Sequence, residues 1–229
     1  MRQNNNNNNK KIEEAMIFIT VIALIALTFF SLNKIQKSSF SDITGEVITT
    51  VNVTQLRANY CNFTLQEGLN LISFFCIPNT INRNDVIINI TRMVAIFEYR
   101  EGETDAWKTY NPSLPSFVIQ DLNYLSRTEG YWIDMNAQEQ FLLEGGLRIP
   151  TSVPLVGGWN LAGYPTNVSE SVLTSFDTIA GNFSEARAYN ATLDIFLSYV
   201  PGVGGALTYT TANSGYWINA TTTEIWVVD

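Results

Sequence analysis

Histidine is absent from the 229-residue chain. Its absence removes the commonest general base near neutral pH and the commonest metal ligand, so triads and zinc sites that need an imidazole are excluded. Cysteine is almost as scarce, with only Cys61 and Cys76. Two thiolates do not complete a tetrahedral site, and their spacing is not that of a redox Cys-x-x-Cys pair. Charged residues make up only 15% of the chain, and 13 Lys and Arg against 21 Asp and Glu leave a net charge of −8. The first forty residues hold Arg2, Lys10, Lys11, Lys34 and Lys37 against Glu13 and Glu14, so everything beyond Phe40 is markedly acidic. Such a surface repels phosphate backbones, and no nucleic-acid partner is expected.

What the chain does have is one long apolar run. "AMIFITVIALIALTFFSL" at 15–32 is free of charge. As a helix it extends roughly 27 Å, close to a hydrocarbon core. We expect a transmembrane signal-anchor helix there. A cleaved signal is the second reading, weakened because "SLNKIQKSSF" offers no small-residue cleavage pattern. Prepilin-like processing is the third: Glu13 and Glu14 suit it, but "NKKIEEA" lacks the usual Gly. Before the helix, 1–14 is an Asn-rich tail with nothing to bury, expected to be disordered. After it, 33–54 reads as a linker that turns into a strand near Val47–Val53.

Lysines on both sides of the helix orient it only slightly. Glycosylation sequons add a second indication: Asn52, Asn62, Asn89, Asn167, Asn182, Asn190 and Asn219 all lie beyond it, more than chance placement in an Asn-, Ser- and Thr-rich segment gives. They imply a C-terminal region outside the cell membrane. Export also suits a Cys61–Cys76 disulfide, favoured over two free buried thiols and worth on the order of 3 kcal/mol in a chain-entropy model.

The exported part repeats itself. "LQEGLNLISFF" at Leu65–Phe75 aligns with "LVGGWNLAGYP" at Leu155–Pro165, placing Gly68 on Gly158, Leu69 on Trp159 and Asn70 on Asn160. "WKTYNP" aligns with "FLSYVP", placing Trp107 on Phe196 and Tyr110 on Tyr199, and Tyr99 falls on Tyr189. "LNYLSRTEGYWI" aligns with "LTYTTANSGYWI", so that Gly130, Tyr131 and Trp132 match Gly215, Tyr216 and Trp217. Short aromatic and β-branched runs broken by Gly, Pro, Asn and Ser read as strands. The expected fold is all-β: two tandem small barrel- or sandwich-like repeats, 55–148 and 149–229, each with one short helix, at Asn84–Ile90 and Asn167–Phe176. The latter places Val172, Leu173 and Phe176 at helical spacing.

The order Gly-Trp-Asn-Leu-Ile, Trp-x-x-Tyr-x-Pro, Gly-Tyr-Trp-Ile resembles a repeat module of exported and S-layer-associated surface proteins of archaea and bacteria. It covers about Leu65–Gly145 and Leu155–Asp229. The resemblance implies an extracellular all-β module, one of several in a larger surface protein, with no catalytic residues to carry over. Leu69 and Phe196 depart from the module's usual Trp, and both stay apolar, which suits packing.

Function is read from these elements. Asn70 and Asn160, in apolar strands, are expected to clamp neighbouring backbone turns. Trp132, Trp217, Tyr110 and Tyr199 are expected in the core rather than on a sugar-stacking face. In Gly-Tyr-Trp-Ile the side chains alternate, and the leading Gly suits a tight turn, where positive φ or a close backbone approach excludes a β-carbon. "EYREGETDAW" reads as a solvated hairpin turn, with no metal site, and nothing marks two carboxylates as facing one cleft. We expect no enzyme and no cofactor. The expected role is structural or adhesive, in a single-pass cell-surface protein whose partners are the membrane and cell-envelope proteins or glycans. A carbohydrate-binding module and a pilin-like subunit are the alternatives.

Overall fold

Residues 60–229 are described by the computed structural model. The tail, the apolar run at 15–32, the linker, the Val47–Val53 strand and Asn52 lie outside the described residues. Among the described residues no helix is long and apolar enough to cross a membrane.

Strands dominate, as the aromatic and β-branched alternation leads one to expect. The first half holds β1 (Tyr60–Leu65), β2 (Gly68–Ile72), β3 (Ile81–Asn82), α1 (Arg83–Ile87), β4 (Met93–Tyr99), β5 (Trp107–Tyr110), β6 (Tyr124–Leu125), β7 (Tyr131–Met135) and β8 (Glu139–Glu144). The second holds β9 (Thr151–Leu155), β10 (Gly158–Gly163), β11 (Glu170–Ser171), α2 (Val172–Ser175) and a 3-10 turn at Asp177–Ile179. It continues with β12 (Phe183–Asn190), β13 (Ile195–Val200), β14 (Gly204–Gly205), β15 (Tyr209–Thr210), β16 (Gly215–Ala220) and β17 (Glu224–Val228).

The two halves pair their strands alike. β1 pairs with β8 and β9 with β17; β3 pairs with β6 and β11 with β15. The main sheets run β2-β7-β4-β5 and β10-β16-β12-β13, the second extended by β14. Even the irregularity recurs: β4 slips against β7 between Met93 and Ala95, and β12 against β16 between Phe183 and Glu185. Such bulges bend a strand and strengthen its twist.

Each half buries its own core. Phe63 stacks on Phe141 at 4.9 Å in the first. In the second, Tyr164 stacks on Trp226 at 5.7 Å, and the Trp226 Nε1–H donates to the Ser175 carbonyl at 2.6 Å. Cys61 and Cys76 form a disulfide that ties β1 to the segment after β2, with both residues buried.

The helices are shorter than expected. α1 starts after Asn82, whose side chain accepts from the Asn84 N–H; α2 starts after Ser171, whose hydroxyl accepts from the Thr174 N–H. Glu170 and Ser171 are taken into the ladder with β15, which leaves α2 a single turn. The apolar set splits as a result: Val172 and Phe176 are buried while Leu173 is 70% exposed.

Candidate functional site

In β7 the side chains of Tyr131, Ile133 and Met135 enter the core of the first half, and β16 does the same with Tyr216, Ile218 and Ala220. The alternation turns Trp132 and Trp217 to the opposite faces, where each meets the other half. Trp132 packs edge-on against Tyr189 and Phe196, with centroids at 5.0 and 5.9 Å. Trp217 packs against Tyr99 and Trp107 at 5.1 and 6.0 Å. Trp159, with the Arg187 guanidinium 4.7 Å over its ring, extends the second cluster, whereas its counterpart Leu69 is 46% exposed. Trp107 and Phe196 stay partly open to solvent.

Backbone contacts across the seam are reciprocal too. The Gly163 N–H donates to the Thr128 carbonyl at 2.8 Å and the Ser73 N–H to the Asn213 carbonyl at 2.9 Å. Isolated bridges join Glu129 with Ala162 and Ile72 with Ser214. Contact i-to-j matched by j-to-i is the pattern of an isologous dimer, here within one chain. The Gly of each Gly-Tyr-Trp-Ile strand sits on this seam. Neither Gly130 nor Gly215 has a positive φ, so their role is close approach alone: a β-carbon on Gly130 would stand 2.9 Å from the Ala162 oxygen, and one on Gly215 2.8 Å from the Ile72 oxygen. Positive φ occurs instead at Gly68 and Gly158, which open β2 and β10.

Asn70 and Asn160 hold those openings. The Asn70 Oδ1 accepts from the Gln66 N–H at 2.8 Å, and its Nδ2 donates to the Gln66 and Gly68 carbonyls at 2.8 and 3.0 Å. Asn160 repeats this with Val156 and Gly158 at 2.9, 2.8 and 3.0 Å. Their amide groups are consumed by backbone and are unavailable to a ligand. Tyr131 and Tyr216 anchor their own turns, the hydroxyls accepting from the Ser126 and Thr211 N–H groups at 2.7 and 2.6 Å. Tyr110 lies beneath the Arg83 guanidinium, 3.4 Å from the ring centroid, and Tyr199 beside Phe183 at 6.2 Å. Of the described sequons, Asn62, Asn89 and Asn167 are exposed and Asn182, Asn190 and Asn219 half-buried.

The reciprocal seam leaves a cleft on each side. One, of about 450 Å³, is lined by Glu98, Arg100, Glu101 and Tyr124 of the first half, by Glu129, and by Pro154, Asn160 and Ala162 of the second. The other, of about 430 Å³, is lined by the matching positions: Ala188, Asn190, Ala191, Tyr209 and Ser214, with Thr64, Asn70 and Ile72. These wall positions correspond across the repeat, but their polar content does not. Only the first cleft is charged.

Glu98 departs from the expected solvated turn. It is 2% exposed, with its carboxylate paired to the Arg100 Nε at 2.7 Å and Nη2 at 3.2 Å. Burial raises its pKa against the opposing pull of Arg100. Glu101 accepts from the Tyr99 hydroxyl at 2.6 Å and lies against Gly158. Glu129 shares the cleft with Glu98 and Glu101, so three carboxylates line one cavity, a convergence that nothing in the sequence marked. Burial, reinforced by the charge of Glu98, pushes the Glu129 pKa up to about 7. Its one side-chain partner is the Thr128 hydroxyl at 3.3 Å. Among the described residues no group of His, Cys, Asp and Glu is arranged to hold a metal ion. Glu98 and Glu129 lie 31 residues apart, on different elements, and no motif links them; the one available signal was that the repeat alignment places them opposite Ala188 and Ser214.

The chain matches no protein-family model, no curated protein and no solved structure.

Proposed function

We propose that the protein is a membrane-anchored cell-surface protein, with a structural or adhesive role exercised by a β body of two tandem repeats held outside the cell by the helix at 15–32. The repeat boundaries are 55–148 and 149–229, and the protein is not an enzyme. The observation that supports this reading best is the reciprocal closure of the seam. Trp132 and Trp217, the aromatic residues a sugar-stacking platform would display, are instead packed against the opposite half. A body stiffened in this way, with a disulfide and acidic, sequon-bearing strands, suits a spacer or contact element of a cell envelope.

The test is topological. The full chain with a C-terminal tag is expressed in a cell with a single membrane. Resistance to alkaline carbonate extraction and removal of the tag by protease added to intact cells are expected; release by carbonate, or a tag protected until lysis, overturns the reading.

A further inference from the structure

The two clefts are a built-in comparison. They share a scaffold, yet Glu98, Arg100, Glu101 and Glu129 in one stand where Ala188, Asn190, Ala191 and Ser214 stand in the other. The neutral set stands on the same strand pairing, so that pairing does not require the charged set. Burying a carboxylate and holding another half-buried costs free energy that small residues avoid. The charged cleft therefore bears the marks of a function-bearing cavity.

We propose that the charged cleft between the two halves, bounded by Glu98, Arg100, Glu101, Glu129 and Tyr124, binds a saccharide through its hydroxyl groups. The cavity, about 450 Å³, lies in the size range of small-molecule sites. Its groups offer both donors and acceptors. Arg100 neutralises Glu98, and although its Nη1 lies 3.6 Å from the Glu103 carboxylate, the guanidinium carries hydrogens beyond the two it donates to Glu98. Glu129 has a single weak protein partner, and with a pKa near 7 it is present in donor and acceptor forms alike at neutral pH. Vicinal hydroxyls, which donate and accept, match such a mixed set better than a cation matches a site already holding an arginine. Tyr124, 56% exposed, adds an aromatic wall at the rim.

Sequon placement agrees. Asn62 and Asn190 both line the neutral cleft, so a glycan on either would stand at its mouth, whereas Arg100 takes the place of Asn190 in the charged cleft, and that cleft has no sequon in its walls. The saccharide has two possible sources, a glycan on a second copy of this chain or one from the surroundings. Either supplies a ligand for the adhesive role proposed above, but the site stands on cleft geometry and does not depend on the membrane topology. Failure of one test leaves the other result intact.

The experiment titrates the full chain in detergent with the methyl glycosides of glucose, mannose, galactose and N-acetylglucosamine, following backbone amide shifts. Saturable shifts are expected at Glu129 and Ala162. Glu129→Ser installs the residue of the neutral cleft and should weaken binding about tenfold or more, while Ser214→Ala leaves it unchanged. Should Glu129→Ser unfold, Glu101→Ala, again the residue of the other cleft, serves in its place. Glycosylated protein that self-associates in sedimentation, and loses association on Asn62→Gln with Asn190→Gln, points to the second copy as source; glycoside binding without self-association points to the surroundings. The proposal is overturned if none of the four glycosides saturates, if shifts survive both cleft variants, or if 1,5-diaminopentane binds the cleft while the glycosides do not.

Discussion

Gly130 and Gly215 face each other across the seam, close enough that a β-carbon on Gly215 would stand 3.3 Å from the Gly130 Cα. Both also stand against backbone oxygen of the opposite half, and backbone cannot swing aside as a long side chain can. Gly130→Ala and Gly215→Ala are each expected to destabilise the protein by about 1–3 kcal/mol, the usual cost of overpacking. Gly146→Ala, where a β-carbon meets nothing within 4 Å, should be nearly neutral. Chemical denaturation of the three variants checks this. Because the two seam glycines are themselves neighbours, the cost of the double variant should depart from the sum of the singles.

Glu129 makes stability fall with rising pH. Its folded pKa, about 7, lies above the 4.5 of an unperturbed glutamate carboxyl. Between these values the folded state keeps a proton that the unfolded state has released. The contribution is complete below the unfolded pKa and is lost as pH rises through the folded one. The loss between about pH 5 and about pH 8 is on the order of a few kcal/mol. Unfolding free energies across that range should show the decline in the parent and a shallower slope in Glu129→Gln.

Legibility differed between levels. Strand content could be read because aromatic and β-branched runs alternate between Gly, Asn and Pro breaks, a local signal. Cys61 and Cys76 could be paired because no other thiol competes. Helix length could not be read from Val172, Leu173 and Phe176, since β15 recruits Glu170 and Ser171 into a ladder that no local pattern announces. Gly130 was read as a tight-turn or close-approach glycine; which of the two applied depended on Ala162, in the other half. The charged cleft was the least visible part, because its walls come from both halves and Glu98 appears in sequence as one acidic residue among several in a hairpin.

The disulfide closes a loop of sequence separation 15. Reducing it, or replacing both residues by Ala, is expected to lower stability by about 3 kcal/mol in the chain-entropy model. Unfolding curves with and without reductant measure the difference. Unchanged midpoints would mean that packing of the buried Cys61 and Cys76 side chains, rather than the bond, holds β1 in place.

Asn70 and Asn160 separate a donor role from an acceptor role. In Asn70→Asp the Oδ1 still accepts from the Gln66 N–H, but the new oxygen faces the Gln66 and Gly68 carbonyls, which then lose a donor and meet a negative charge. In Asn70→Ala these bonds and the one at 3.5 Å to the Ile133 carbonyl are lost, but no charge is buried. Leaving buried partners unsatisfied costs about 1–3 kcal/mol, and more where the group is charged. The Asp variant should therefore be the less stable of the two at neutral pH and should recover toward the Ala variant as acid protonates the carboxylate. Asn160→Asp and Asn160→Ala should show the same ordering, since Asn160 makes the same bonds with Val156 and Gly158. Thermal unfolding of the four variants at neutral and acid pH decides it; an Asp variant as stable as the parent at neutral pH would mean that the turn before β2 or β10 holds without its side-chain clamp.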